Sequence, residues 1–136
     1  MADQRVVLTI PPRAEYITLG RLALAGLGGS GKLPEETTAD LKVAVSEACA
    51  YLLRLMDARD DDSARASIRI EYRVTPDRWT IEVSSDGLVL PPLAEQEDAP
   101  SESSLGLTII RALVDELELT PADAGRNILR LVKLLG

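Results

Sequence analysis

Histidine and phenylalanine are absent from all 136 residues, and the chain holds one cysteine, one tryptophan and three tyrosines. Without histidine there is no Ser-His-Asp or Cys-His catalysis, no phosphohistidine chemistry and no ordinary zinc site. The single cysteine, Cys49, cannot close an intramolecular disulfide, and beside an apolar helical stripe it reads as a small buried hydrophobe rather than a nucleophile. No apolar run approaches the length of a membrane span. Residues 1–5 lack the basic and then hydrophobic layout of a secretory signal, so a cytoplasmic protein without a membrane partner is the expectation. Scattered Lys and Arg under a formal charge of −7 leave no basic stripe, which excludes direct nucleic-acid binding. Partners are therefore expected among proteins and small molecules.

What remains is ordinary globular composition, 46% apolar and 27% charged, predicting one domain over residues 1–136 with a core that needs no staples. The chain is organised around Asp40 to Met56, where Leu41, Val45, Ala48, Leu52 and Leu55 recur at helical spacing. On the neighbouring face Glu47, Tyr51 and Arg54 line up within reach of a common ligand. Glu47 there reads either as a general base or as a solvated charge. Upstream, Arg5 to Ile10 predicts a strand stopped by Pro11-Pro12, and Arg13 to Leu27 a helix with Tyr16, Leu19, Leu22, Ala23 and Leu27 inward. The glycine cluster at residues 28–31 is expected to end that helix. Gly26 to Lys32 imitates a phosphate loop, but it follows a helix and has Leu33 where a metal-binding hydroxyl is needed, so it reads as a plain connector.

Downstream of an acidic connector, Ser67 to Val74 and Trp79 to Ser84 alternate as a hairpin with one buried face. Ser85-Asp86-Gly87 ends it, and the long stretch Leu88 to Ser103 is expected to be a lid, a binding loop or a disordered segment. A helix follows from Leu105 to Leu117, with Leu105, Ile109, Ala112, Leu113 and Leu117 inward and Ser103 or Ser104 as its cap. Strands are predicted over Glu116 to Thr120 and Asn127 to Leu135. A strand, two helices, a hairpin, a helix and two strands argue a two-layer α+β sandwich.

Ile10-Pro11, Glu15-Tyr16, Arg21-Leu22, Leu41 to Cys49, Val83 to Gly87, Leu105-Gly106-Leu107 and Ile109-Ile110-Arg111 stand in an order that resembles the bacterial anti-sigma factor serine kinases of the RsbW type. These belong to the GHKL superfamily of gyrase, heat-shock chaperone, histidine kinase and MutL. The resemblance implies the GHKL (Bergerat) fold, a mixed, mostly antiparallel sheet covered by three helices on one face. It implies that Glu47 matches the base that activates the attacking hydroxyl, and it puts Tyr51 where an asparagine binds magnesium. Ser85 takes the place of an adenine-recognising aspartate, Asp86 the variable place and Gly87 the motif glycine. Leu105, Gly106 and Leu107 match the end of the glycine-rich lid, Arg111 the basic residue of the following helix, and Gly125 to Ile128 a final motif without its threonine.

With those replacements the resemblance implies a degenerate nucleotide pocket, no resident cofactor, and ATP with magnesium only if the site is still active. It implies work by protein binding, with a sigma factor or a STAS-domain antagonist meeting the first-helix face that carries Arg13 and Arg21, and a homodimer. The competing expectation is an active ATP-dependent kinase that phosphorylates an antagonist. Glu47 and Tyr51 are expected to border a pocket between the Ser85-Gly87 turn and the start of the Leu105 helix.

Overall fold

The computed structural model describes residues 4–30, 33–58, 66–93, 102–123 and 126–135. Strand β1 (Gln4–Ile10) leads through a 3-10 turn (Ala14–Tyr16) into α1 (Ile17–Ser30) and then α2 (Glu35–Ala58). The hairpin β2 (Ile68–Val74) and β3 (Arg78–Ser85) follows, then α3 (Glu102–Leu113), β4 (Glu116–Asp123) and β5 (Arg126–Leu134). The five strands form one sheet in the order β1-β2-β3-β5-β4. Every described pairing is antiparallel, so the sheet is not mixed. The chain is α+β, with three helices and a core between helices and sheet.

Alternation along the strands assigns the faces. Ile68, Ile70 and Tyr72 of β2 pair with Ser85, Val83 and Ile81 of β3, and this row is buried under the helices. From α2, Leu41, Ala44, Val45, Ala48, Cys49, Leu52, Leu53 and Met56 fill the space above it. Removing this apolar surface from water stabilises the domain by roughly 1.5–3 kcal/mol per large side chain. Burial also pushes the Cys49 thiol up to about 12, which makes it inert as a nucleophile.

Two helix faces differ from expectation. The 3-10 turn delays α1 until Ile17 and rotates its inward side, so Gly20, Leu24 and Gly28 face the protein. Tyr16, Leu19 and Leu22 are exposed, Leu22 by 61%. A methyl at Gly20 would meet Ile70 Cδ1 at 3.2 Å, and the Tyr72 hydroxyl donates to the Gly20 carbonyl at 2.7 Å. That close approach lets α1 sit directly on β2. The helix also runs through the glycine cluster to Ser30 rather than stopping before it, because Gly28 packs beside Thr38 and Leu33.

Helix α3 starts and ends earlier than the pattern suggested. Gly106, Leu107 and Ile110 are its buried positions, while Leu105 is 59% exposed. Ile109 and Leu113 are half-buried, Ala112 is exposed, and Leu117 lies on β4. The helical stripe is rotated because Gly106, having no side chain, is the point where α3 meets α2. Strand β4 runs past Pro121 to Asp123, with a register shift between Thr120 and Asp123, as an edge strand permits.

The far face of the sheet is not simply solvated. Glu71 and Glu82 lie opposite each other on β2 and β3 and are both buried. Glu71 accepts from Arg5 at 3.0 Å, from Arg69 at 2.9 Å and from Arg73, while Glu82 pairs with Arg130 at 2.7 Å. Two facing glutamates would repel, and the arginine fringe reverses the sign. Hydrogen bonds from Arg5, then from Arg73 and Arg69, hold the Glu71 carboxyl down to about 2 against its burial.

Candidate functional site

Helix α2 lies between α1 and α3 and presents a different chemistry to each. Toward α1 it lines a groove of about 560 Å³ with Ala39, Lys42, Val43, Ser46 and Glu47, facing Thr18, Arg21, Leu22 and Ala25. Arg21 is exposed and donates from Nη2 to Thr18 Oγ1 at 3.1 Å, an i−3 contact that holds the guanidinium along α1. Leu22 and Val43, 61% and 46% exposed, form the apolar floor that Arg21 and Lys42 flank. A second cleft of about 440 Å³ is lined by residues 12–15 and Ile17 with Ala50, Leu53, Arg54 and Asp57 of α2. Arg13 is in it and pairs with Glu15 across 3.8 Å, both side chains well exposed.

Toward α3 the helices are in direct contact. A Cβ placed on Gly106 would lie 2.6 Å from Arg54 Nη2 and 3.2 Å from Glu47 Oε2. Gly106 is thus not part of a loop that closes over a ligand. It is a helical residue whose missing side chain admits the tips of Glu47 and Arg54 between α2 and α3. Leu107, one residue on, is 1% exposed and belongs to the core. Arg111 is half-buried in the last turn of α3, where a cation suits the helix dipole.

Tyr51 departs most from the sequence reading. It was expected to border a pocket beside Glu47, but it is fully buried, at 0% exposure, within the hydrophobic core. Glu47 stays half-buried one turn away. The face that the spacing assigns to a ligand is therefore split between Glu47 and Arg54, which reach Gly106 of α3, and Tyr51, which belongs to the core.

The turn after β3 is built as expected but used differently. The Leu88 amide donates to the Ser85 carbonyl at 3.2 Å, closing a turn with Gly87 at φ 78°, a conformation that favours glycine. Asp86 is exposed at the tip. Ser85 is 2% exposed, and its hydroxyl is directed at the carbonyls of Ala66 and Ser67, at 3.2 and 3.0 Å, tying β3 to the start of β2. Ser85, Asp86 and Gly87 line neither of the two clefts above.

Beyond the turn, Leu88 and Leu90 are buried, so this first part of the long stretch is packed rather than disordered. Residues 94–101 lie outside the described residues. The clamp is Asn127, whose Oδ1 accepts from the Leu90 amide at 2.9 Å while Nδ2 donates to the Thr120 carbonyl at 3.0 Å. The sequence alone puts Asn127 at the start of the last strand and gives its side chain no role. Its only signal is an amide side chain at the mouth of a strand, where side-chain bonds to backbone are common.

Among the described residues no group of three His, Cys, Asp or Glu side chains can hold a metal ion. No described helix is long and apolar enough to cross a membrane.

Residues 10–133 match the model of the histidine kinase-like ATPase domain. Serine-protein kinase RsbW of Listeria monocytogenes serotype 4a (strain HCC23) is 31% identical over 126 residues, covering 85% of this chain and 78% of that protein. Its counterpart in Bacillus cereus (strain AH187) is 26% identical over 137 residues, covering 93% and 82%. A structure of the RsbU and RsbW domains of Rv1364c from Mycobacterium tuberculosis aligns with a TM-score of 0.69 at 16% identity, covering 96% of this chain and 32% of that one. The SiaB-SiaC complex from Pseudomonas aeruginosa gives 0.69 at 14% identity, covering 93% and 88%. The last two likenesses concern the fold.

Proposed function

The chain belongs to the histidine kinase-like ATPase domain family, and from that premise we propose that it is an RsbW-type regulator that controls transcription by binding protein, its kinase activity weakened or lost. The partners are a sigma factor and a STAS-domain antagonist, and the module works as a single domain and a homodimer in the cytoplasm. The observation that carries this reading is the complete burial of Tyr51. Magnesium must bridge and neutralise phosphates during phosphoryl transfer. A phenol sealed in the core offers that ion nothing, and the residues present do not fit a magnesium nucleotide. Ser85 adds to this, since its hydroxyl is engaged by Ala66 and Ser67.

The protein-facing side is better equipped. Arg21 and Lys42 frame the apolar strip of Leu22 and Val43, an arrangement suited to an amphipathic helix with acidic flanks. Arg13 lines the second cleft, ahead of the first helix, where it pairs with Glu15.

The second reading, an active serine kinase, is favoured by the relatives' name and by Glu47, a half-buried carboxylate that lines the groove between α1 and α2. Incubation with labelled ATP, magnesium and a STAS-domain protein separates the two. No transfer, with capture of a sigma factor or STAS protein that Arg21→Glu abolishes, supports the binding reading. Transfer that Glu47→Gln eliminates overturns it.

A further inference from the structure

The two edges of the sheet are defended unequally. Strand β4 closes one end with the exposed acids Glu116 and Glu118, a proline and a register shift, devices that keep an open edge from pairing with another chain. Strand β1 at the other end has none of them. Gln4 to Ile10 runs beside β2 without a bulge, and among the described residues it pairs with no other strand. Its one charge, Arg5, is drawn back over β2 by the 3.0 Å bond to Glu71. What the edge presents is Val6 and Leu8, half-buried on the helix side, and Val7, 41% exposed on the other. Above it, α1 has α2 along one flank. On the opposite flank lie Leu19, 42% exposed, and Gly26, where a side chain would meet only open space.

We propose that this edge joins a second copy of the chain, the two β1 strands pairing antiparallel about Val7 so that two sheets become one. In that register the strand is complementary to itself. Val7 meets Val7, Val6 meets Leu8, Arg5 meets Thr9 and Gln4 meets Ile10, so the whole strand pairs and no like charges stand opposite. Centring the pairing on any other residue shortens the seam, and centring it on Arg5 opposes two guanidinium groups. Residues that face each other share a face of the sheet, so both copies carry their helices on the same side. Val6 and Leu8 then continue one core toward the next beneath the two Leu19 flanks. A foreign strand satisfies the same backbone groups, but the valine centre and the absence of charge conflict are properties of this strand against itself. The seam is smaller than the roughly 20–30 residues a side of a standard interface, so the association is reversible and micromolar. This inference rests on the homodimer of the proposed reading and gives it a surface, and its test needs no partner protein, so loss of partner capture and loss of self-association are read apart.

The test is sedimentation of the full chain from about 1 to about 200 µM. The mass is expected to rise from one chain toward two, and Val7→Lys, which sets two ammonium groups across the seam, to weaken association at least about tenfold. Cooperative urea unfolding of that variant shows that the edge and not the fold was changed. A second measurement leaves the charge alone. Val7→Cys should form an intermolecular disulfide under mild oxidation, because facing β carbons in such a pair lie about 4.5–5.5 Å apart. Leu134→Cys, at a position 49% exposed on β5, should not, and the native Cys49 is buried out of reach. A chain that stays monomeric throughout, a dimer indifferent to Val7→Lys, or cross-linking at Leu134→Cys in place of Val7→Cys overturns the proposal. So does protection of the β1 amides from hydrogen exchange that appears only when a STAS-domain protein is added, which would give the edge to a partner's strand.

Discussion

Restoring the family's metal ligand by Tyr51→Asn would be expected from sequence alone to rebuild the magnesium site, but the structure predicts a damaged core. Tyr51 is 0% exposed and lies in the same cluster as Leu52, Cys49 and Ala48. Truncating a buried aromatic side chain costs about 3–5 kcal/mol through lost burial and the cavity left behind. Asparagine refills part of that volume but brings an amide, and an unpaired buried amide costs about 1–3 kcal/mol more. The two contributions overlap, so a net loss of about 4 kcal/mol is expected, a large part of the roughly 5–15 kcal/mol that a domain has. Urea unfolding of wild type and Tyr51→Asn at neutral pH measures this, and calorimetry with ADP and magnesium on the same samples should show no gain in affinity. A variant within about 1 kcal/mol of wild type, or one that acquires magnesium-dependent nucleotide binding, would refute the reasoning that Tyr51 is a core residue first.

Gly106→Ala should leave stability within about 1 kcal/mol of wild type, because alanine gains about 1 kcal/mol in a helix and the colliding Arg54 tip can swing aside; a loss well beyond that in urea unfolding would show that Arg54 is locked in place. Glu71→Gln tests the sheet-face network. The folded carboxyl titrates at about 2 against 4.5 for an ordinary glutamate, so its contribution is present above pH 4.5 and lost as pH falls toward 2. Discounted for half-exposed arginine partners, that contribution is about 1–2 kcal/mol. Wild type should therefore lose stability between pH 4.5 and 2 more steeply than the variant, and parallel pH profiles would contradict the assignment. Tyr72→Phe removes the hydroxyl that holds the Gly20 carbonyl, costing about 1–2 kcal/mol. Amides of α1 should then exchange faster with solvent, and unchanged exchange would remove the tether from the account.

Periodicity in the sequence was sufficient for the elements and the fold class. The stripe Leu41, Val45, Ala48 and Leu52 is buried as predicted. The alternation of Ile68, Ile70 and Tyr72 against Ile81 and Val83 is the observed hairpin register. These signals are local, since each repeats the geometry of one element, and the order of motifs along the chain was enough to indicate the family. What tertiary structure decided is which of two plausible faces turns inward. A 3-10 turn at Ala14–Tyr16 rotated α1 and left Leu19 and Leu22 outside. Gly106 rotated α3 by giving α2 a place to meet it. Spacing put Glu47, Tyr51 and Arg54 on one line, but it could not say that Tyr51 would pack into the core while Glu47 and Arg54 reach Gly106 of α3. Likewise Glu71 reads as a solvated strand residue until three arginines, two of them on its own strand and one on β1, close around it. Helical and strand periods are set by neighbours a few residues apart, whereas burial of one side chain depends on segments distant in sequence and joined only by the fold.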